Sequence, residues 1–147
     1  MGQSPNGEYY TNNSDDYILV QGNADIQNDK VVPRVWTKQI TRTADIGDII
    51  FSVRAPVGSV GKSDYSVVIG RGVASIKGNE FIYQTLKKMN EFGYWTNISC
   101  GSTFESINSN DLKSANIMIP MQPEQEKIGT LFSNLDNLIT LHQREQN

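Results

Sequence analysis

Cysteine and histidine are almost absent: Cys100 and His142 are the only ones in the chain. A lone cysteine excludes an intramolecular disulfide. One cysteine and one histidine cannot supply the ligand set of a zinc site, so no metal site is expected. A Cys–His nucleophilic pair would need the two to meet from distant positions. A small core residue and a residue on a helix seam account for them more simply. The adjacent Asp15 and Asp16 read as a solvated loop pair rather than an acid/base couple. Long apolar runs are missing as well. Ile49-Ile-Phe51 and Val67-Val-Ile69 are far too short to cross a bilayer. The opening Met1-Gly-Gln-Ser-Pro-Asn6 is polar and has no apolar core, so no signal peptide and a cytoplasmic location are expected. No catalytic constellation stands out, which points to binding rather than to an enzyme.

One stretch imitates a catalytic motif. Gly61-Lys62-Ser63 looks like the end of a phosphate-binding P-loop. That motif requires a glycine five residues before Gly61, and Pro56 stands there. Proline has no N–H to donate to a phosphate. A helix should also begin near Lys62, but Tyr65-Ser-Val-Val-Ile69 follows and reads as strand. With Ile49-Ile-Phe-Ser-Val53 upstream, the segment is expected to join two strands in a hairpin-like connection. Tight, Mg²⁺-dependent ATP binding would be needed to revive a nucleotide hydrolase.

The chain has 147 residues, room for one domain with its own core. Its net charge is −3, yet the charge is uneven. Between Lys30 and Lys77 eight basic residues face three acids, a local excess of five; the first 29 residues hold five acids and no Lys or Arg. A basic face on an acidic chain suits a protein that meets DNA on one side. Ordinary solvated side chains give the same counts, so charge alone leaves both readings open.

Strands are predicted at 17–20, 49–54, 65–69 and 72–76, with a short one at Val31-Val32 and a last one at Asn116-Ile-Met-Ile119. Gly70-Arg71-Gly72 is a tight connection between two of them. Asn79 is placed to cap a helix carrying Ile82, Leu86 and Met89 on one face, with Gly93 as its stop. A short helix is expected around Asn110–Lys113. From Pro123 the pattern becomes helical to the end of the chain. Ile128, Leu131, Leu135, Leu138 and His142 fall at heptad positions, widened by Phe132 and Ile139. The fold class expected is α/β (α+β) with mixed and antiparallel strands at 1–120, followed by an amphipathic helix of coiled-coil type at 123–147.

Five elements in order then carry a family resemblance. They are Gly2-Gln-Ser-Pro5; Gly47-Asp-Ile-Ile-Phe-Ser-Val-Arg-Ala-Pro-Val-Gly-Ser-Val60; Ile69-Gly-Arg-Gly-Val-Ala-Ser-Ile76; Gly101-Ser-Thr-Phe104 with Ile107 and Asp111-Leu112; and Pro120-x-x-Pro-Glu-Gln-Glu-Lys-Ile128 leading to Leu135-Asp-Asn-Leu-Ile139. Together they resemble the DNA specificity subunit of type I restriction–modification systems, over almost the whole chain. The resemblance implies a target recognition domain that reads one half of a split site on double-stranded DNA. It also implies a helix that contacts modification subunits or a second copy of the chain. The specificity subunit itself catalyses nothing. S-adenosylmethionine would be held by modification subunits, and ATP with Mg²⁺ by the restriction subunit. A full-length subunit of the family has two such units with antiparallel spacer helices. This chain is expected to be one unit with a shortened helix, either a half-subunit that dimerises or a piece of a longer protein.

The side chains expected at DNA are Lys30, Arg34, Thr37, Lys38, Gln39 and Arg42 in the irregular stretch 28–43, then Arg54, Lys62, Asn97, Ser102 and Thr103. Arg, Lys and Gln match guanine and adenine edges, and Thr suits phosphate or a thymine methyl. An ion pair within the body is the structural alternative for Arg54, and core packing is the alternative for Trp36 and Trp95. A second functional class stays open: a helix-mediated interaction or decoy protein that binds modification subunits without reading DNA.

Overall fold

The computed structural model describes residues 1–98 and 106–146. In chain order the strands are β1 (Tyr10–Thr11), β2 (Tyr17–Val20), β3 (Ile26–Gln27), β4 (Lys30–Val31), β5 (Val35–Thr37), β6 (Thr43–Ala44), β7 (Ile49–Ser52), β8 (Val60–Lys62), β9 (Val67–Ile69) and β10 (Val73–Ile76). The helices are α1 (Glu80–Glu91), α2 (Tyr94–Ile98), α3 (Ser109–Lys113) and α4 (Gln122–Gln146). Two mixed five-stranded sheets form, in the orders β1-β5-β2-β9-β6 and β10-β7-β8-β4-β3. Each contains one parallel pair, β2 with β9 and β4 with β8. The expected fold class, a mixed α/β body followed by a long helix, is therefore the observed one.

Strand β7 shows how the layers stack. Successive residues of a strand point to opposite faces. Ile49 and Phe51 join Tyr83 and Leu86 of α1 and Trp95 of α2 in one core. Ile50 joins Val20, Val67, Ile69 and Val73 in the other. All four residues of β7 are buried. The second sheet thus lies between the first sheet and the helices. Trp95 meets Phe51 edge to face at 4.9 Å, so the packing alternative for Trp95 is the one realised. Burying a side chain of the Ile or Phe class contributes roughly 1.5–3 kcal/mol, and β7 supplies three of them.

The expected hairpin partner is corrected. β7 pairs antiparallel with β8, in register Ile50 opposite Gly61, and not with 65–69. That later segment, β9, belongs to the first sheet. Gly70-Arg71-Gly72 therefore carries the chain from one sheet to the other. The expected strand at 116–119 is absent too. Ile117 lies instead beside Ile82 and Leu86 of α1 and Leu112 of α3. The predicted cap and stop of α1 hold. Asn79 Oδ1 accepts the Ile82 N–H at 3.1 Å, and Gly93 takes φ +73°, a left-handed conformation natural to glycine. The short helix expected near Asn110–Lys113 is α3, capped by Asn108.

Helix α4 packs on α1, but with a different face from the leucine seam. Gln125 and Gly129 are buried there. A side chain at Gly129 would press on Glu80 Cβ at 2.9 Å and the Phe81 nitrogen at 3.1 Å, so glycine permits the close crossing. Gln125 Oε1 accepts from Asn79 Nδ2 at 3.0 Å and Gln125 Nε2 donates to the Pro120 carbonyl at 2.9 Å. Gln84 Nε2 donates to Asp136 at 2.8 Å. The seam residues Leu131, Leu135 and Leu138 stay exposed, as does His142, and Ile128 is borderline at 36%.

Candidate nucleic-acid interface

The structure sorts nine of the thirteen basic residues into two groups; the other four, Lys88, Lys113, Lys127 and Arg144 on the helices, form no ion pair with a described residue either. The first group is paired internally. Lys30 meets Asp64 at 2.9 Å, and Arg34 meets Asp25 at 3.5 Å. Lys77 bridges Asp45 and Asp48 at 3.0 and 3.1 Å. Lys87 meets Asp29 at 2.8 Å and Asp136 at 3.7 Å. Lys62 pairs with Glu80 of α1 and lies 4.6 Å from the centre of the Tyr83 ring. These pairs tie sheet, loop and helix together. Tyr83, enclosed among them, has its hydroxyl pKa raised, first by burial and then by Asp29, Asp136 and Glu80.

Lys62 thereby loses the phosphate role its motif imitates. It sits in β8, and Gly61 packs against Ile26 and Asp29 rather than opening a phosphate cradle. No helix begins at Lys62; the next element is β9.

The second group is Lys38, Arg42, Arg54 and Arg71. All four are exposed, and none forms an ion pair with a described residue. The fold gathers their backbones around the N-terminal segment. The Lys38 N–H donates to the Tyr9 carbonyl at 3.0 Å, and the Gln3 N–H to the Ile69 carbonyl at 2.9 Å. Gln39 Oε1 accepts the Asn6 N–H at 2.8 Å. The Thr41 hydroxyl donates to the Gln3 carbonyl. The Ile69 N–H donates to the Arg42 carbonyl at 2.8 Å. Ser4 Oγ accepts the Arg71 N–H at 3.1 Å. Arg54 and Arg71 line one open, polar recess of about 500 Å³ together with Ser4, Tyr10, Gln21 and Asn23. Among the described residues no Asp or Glu lines it.

Of the residues expected at DNA, Lys38 and Gln39 bond to the N-terminal segment, Arg42 bonds to β9, and Arg54 lines the recess beside that segment. Lys30, Arg34 and Lys62 are occupied by acids. Thr37 is fully buried, and its hydroxyl accepts the Gln39 N–H at 3.1 Å, which places it inside the fold. Asn97 is exposed on α2. Ser102 and Thr103 lie outside the described residues. Arg71 was not among the expected contacts. Its signal was its setting, a single cation between two glycines in a stretch that belongs to the resemblance.

Asp48, by contrast, is a fixture of the body. Burial works to raise its pKa, but the Asp45 N–H, Lys77 and the Ser75 hydroxyl outweigh it and hold the carboxyl below its ordinary value. Among the described residues no cluster of His, Cys, Asp and Glu could hold a metal ion. No described helix is long and apolar enough to cross a membrane.

A second cavity, of about 770 Å³, lies beside the contact of α1 with α4 and is bordered by residues 116–118. Phe81, Phe92, Tyr94, Met118, Ile128 and Phe132 line it and make it mainly apolar. Its chemistry suits a protein surface rather than DNA.

The family model for the type I restriction modification DNA specificity domain matches residues 1–147. The chain is 32% identical to the provisionally assigned MjaX type I restriction enzyme specificity subunit of Methanocaldococcus jannaschii, over 99% of this chain and 35% of that protein. Among solved structures it is similar to the HsdS subunit from Thermoanaerobacter tengcongensis, with a TM-score of 0.80 and 27% identity over 100% of this chain and 36% of that one. A chain from a structure addressing complex assembly and conformational transition of the type I R-M system aligns with a TM-score of 0.82 and 28% identity, over 99% of this chain and 37% of that one. The chain thus spans about a third of the length of the relatives it matches.

Proposed function

The chain belongs to the type I restriction–modification DNA specificity family, and on that footing we propose that it recognises one half of a split target on double-stranded DNA. The observation that carries this reading is the sorting of cations. The paired ones stitch the fold, while Lys38, Arg42, Arg54 and Arg71 are the cations of the sheets and their loops that form no ion pair with a described residue. Free cations neutralise phosphates and release counterions, which supplies affinity and fixes register. Gln39 lies beside these cations with its Oε1 taken by the Asn6 N–H, which leaves its Nε2 to donate to a base edge or phosphate.

The chain acts as a non-catalytic specificity component. Methylation and cleavage belong to modification and restriction subunits, which bind S-adenosylmethionine and ATP with Mg²⁺. The exposed ridge of Leu131, Leu135, Leu138 and Ile139 on α4 supports subunit attachment, or pairing with a second copy, through this helix. The same ridge is what a decoy without DNA recognition would need. The two readings separate in selection from a random duplex library, run with and without a modification subunit. Recovery of one short motif supports recognition. No enrichment with the partner present leaves the decoy reading.

A further inference from the structure

Two arginines line the same recess, one of them in the chain's crossing between sheets, and close backbone contacts hold both. Arg71 stands between Gly70 and Gly72. A Cβ on Gly72 would intrude on the Gln21 carbonyl oxygen, and one on Gly70 would lie 3.2 Å from Ser4 Oγ. A Cβ on Gly2 would in turn strike the Gly70 carbonyl. Three backbones therefore pack in direct contact here, and the Ser4 hydroxyl pins the Arg71 N–H. Arg54 is held by its bridge to Ser106 and by the Ser52 hydroxyl, which donates to its carbonyl at 2.9 Å. The recess they share is polar, and no described acid lines it.

We propose that this recess seats a backbone phosphate of the DNA, gripped by Arg54 and Arg71, and so sets the register in which the rest of the face meets the bases. The inference rests on the DNA-recognition reading above and assigns this part of the face a positioning role. The shape decides between phosphate and base. Phosphates protrude from a duplex and enter a recess, whereas base edges lie on a groove floor and must be reached by a projecting element. Two guanidinium groups without a carboxylate partner among the described residues favour an anion, and each presents the fork that matches phosphate oxygens.

The test uses the full chain bound to its modification subunit and a duplex carrying the selected motif. Arg54→Gln and Arg71→Gln should each weaken binding about tenfold at moderate salt and lower the slope of log K against log salt by about one. The motif recovered by each variant should be unchanged. In parallel, wild-type protein is tested on duplexes with single phosphates replaced by neutral methylphosphonate, which does not depend on any variant folding. One position should weaken wild-type binding, and the Arg71→Gln variant should be insensitive there. A motif degenerate at one base pair in the Arg71→Gln variant would overturn the phosphate seat in favour of base reading. Unchanged salt slopes, or no sensitive phosphate, would also overturn it. If wild type shows no sequence-specific binding, the recognition reading itself fails, a result distinct from either.

Discussion

The Ser4 hydroxyl accepts the backbone N–H of Arg71 at 3.1 Å, joining residues 67 positions apart in the chain. This bond gives a physical meaning to two separate sequence elements. Gly2-Gln-Ser-Pro5 and Gly70-Arg71-Gly72 form one buttress, in which glycines let the backbones touch and serine fixes the arginine's position. Ser4→Ala should cost about 1 kcal/mol, the net value of one hydrogen bond. Gly72→Ala should cost about 3 kcal/mol, because the added methyl has backbone rather than a flexible side chain in its way. Urea unfolding of the two variants checks both figures and their order.

Gly129 controls the seat of α4 on α1. Gly129→Leu should force the helices apart and destabilise the protein by about 1–3 kcal/mol. The expected signature is faster proteolytic cutting in the 114–121 connection with the β-sheet signal retained. Gly129→Ala meets fewer atoms and should fall at the low end. Equal protease resistance in the leucine variant and wild type would show that the two helices are not held by this contact.

Asp48 gives a pH-dependent term. Its pKa is lower in the folded state than in the unfolded chain, so it stabilises the fold above the unfolded value, and that stability fades as pH falls through the folded one. Asp48→Asn should therefore destabilise at pH 7, by about 1–2 kcal/mol for a buried, hydrogen-bonded carboxylate. The gap from wild type should narrow as pH drops below about 4, the ordinary carboxylate range. Denaturant unfolding at pH 7 and pH 3 measures it, and a gap that is constant with pH would assign the loss to packing instead.

Local signals in the sequence were legible and tertiary ones were not. The apolar run Ile49–Phe51, the Asn79 cap and the Gly93 stop each act within a few residues, so the elements they define appear where expected. The pairing of β7 was misread because β8 contains Gly61 and Lys62, which carry no strand signature; its place is fixed by Ile26 and Asp29 packing on Gly61. Residues 116–119 have strand-like composition, yet they pair with no strand, and Ile117 lines a cavity with residues of β10, α1 and α3. The proposed DNA face shows the same limit. Lys30 and Arg42 look alike in sequence. Only the fold brings Asp64 to Lys30, across 34 residues, and no described acid to Arg42.

That contrast provides the most direct measurement of the central claim. The chain, bound to its modification subunit, is titrated with its selected duplex over a range of salt. Two double variants remove the same charge from different places. Lys38→Ala/Arg42→Ala should lower the magnitude of the salt slope by about two and weaken specific binding by more than tenfold. Lys30→Ala/Lys77→Ala, whose lysines are already paired with acids, should leave the slope close to wild type. Equal losses in both would mean that overall charge, not this face, holds the DNA. Loss confined to the Lys30/Lys77 variant would place the DNA elsewhere on the molecule and contradict the assignment.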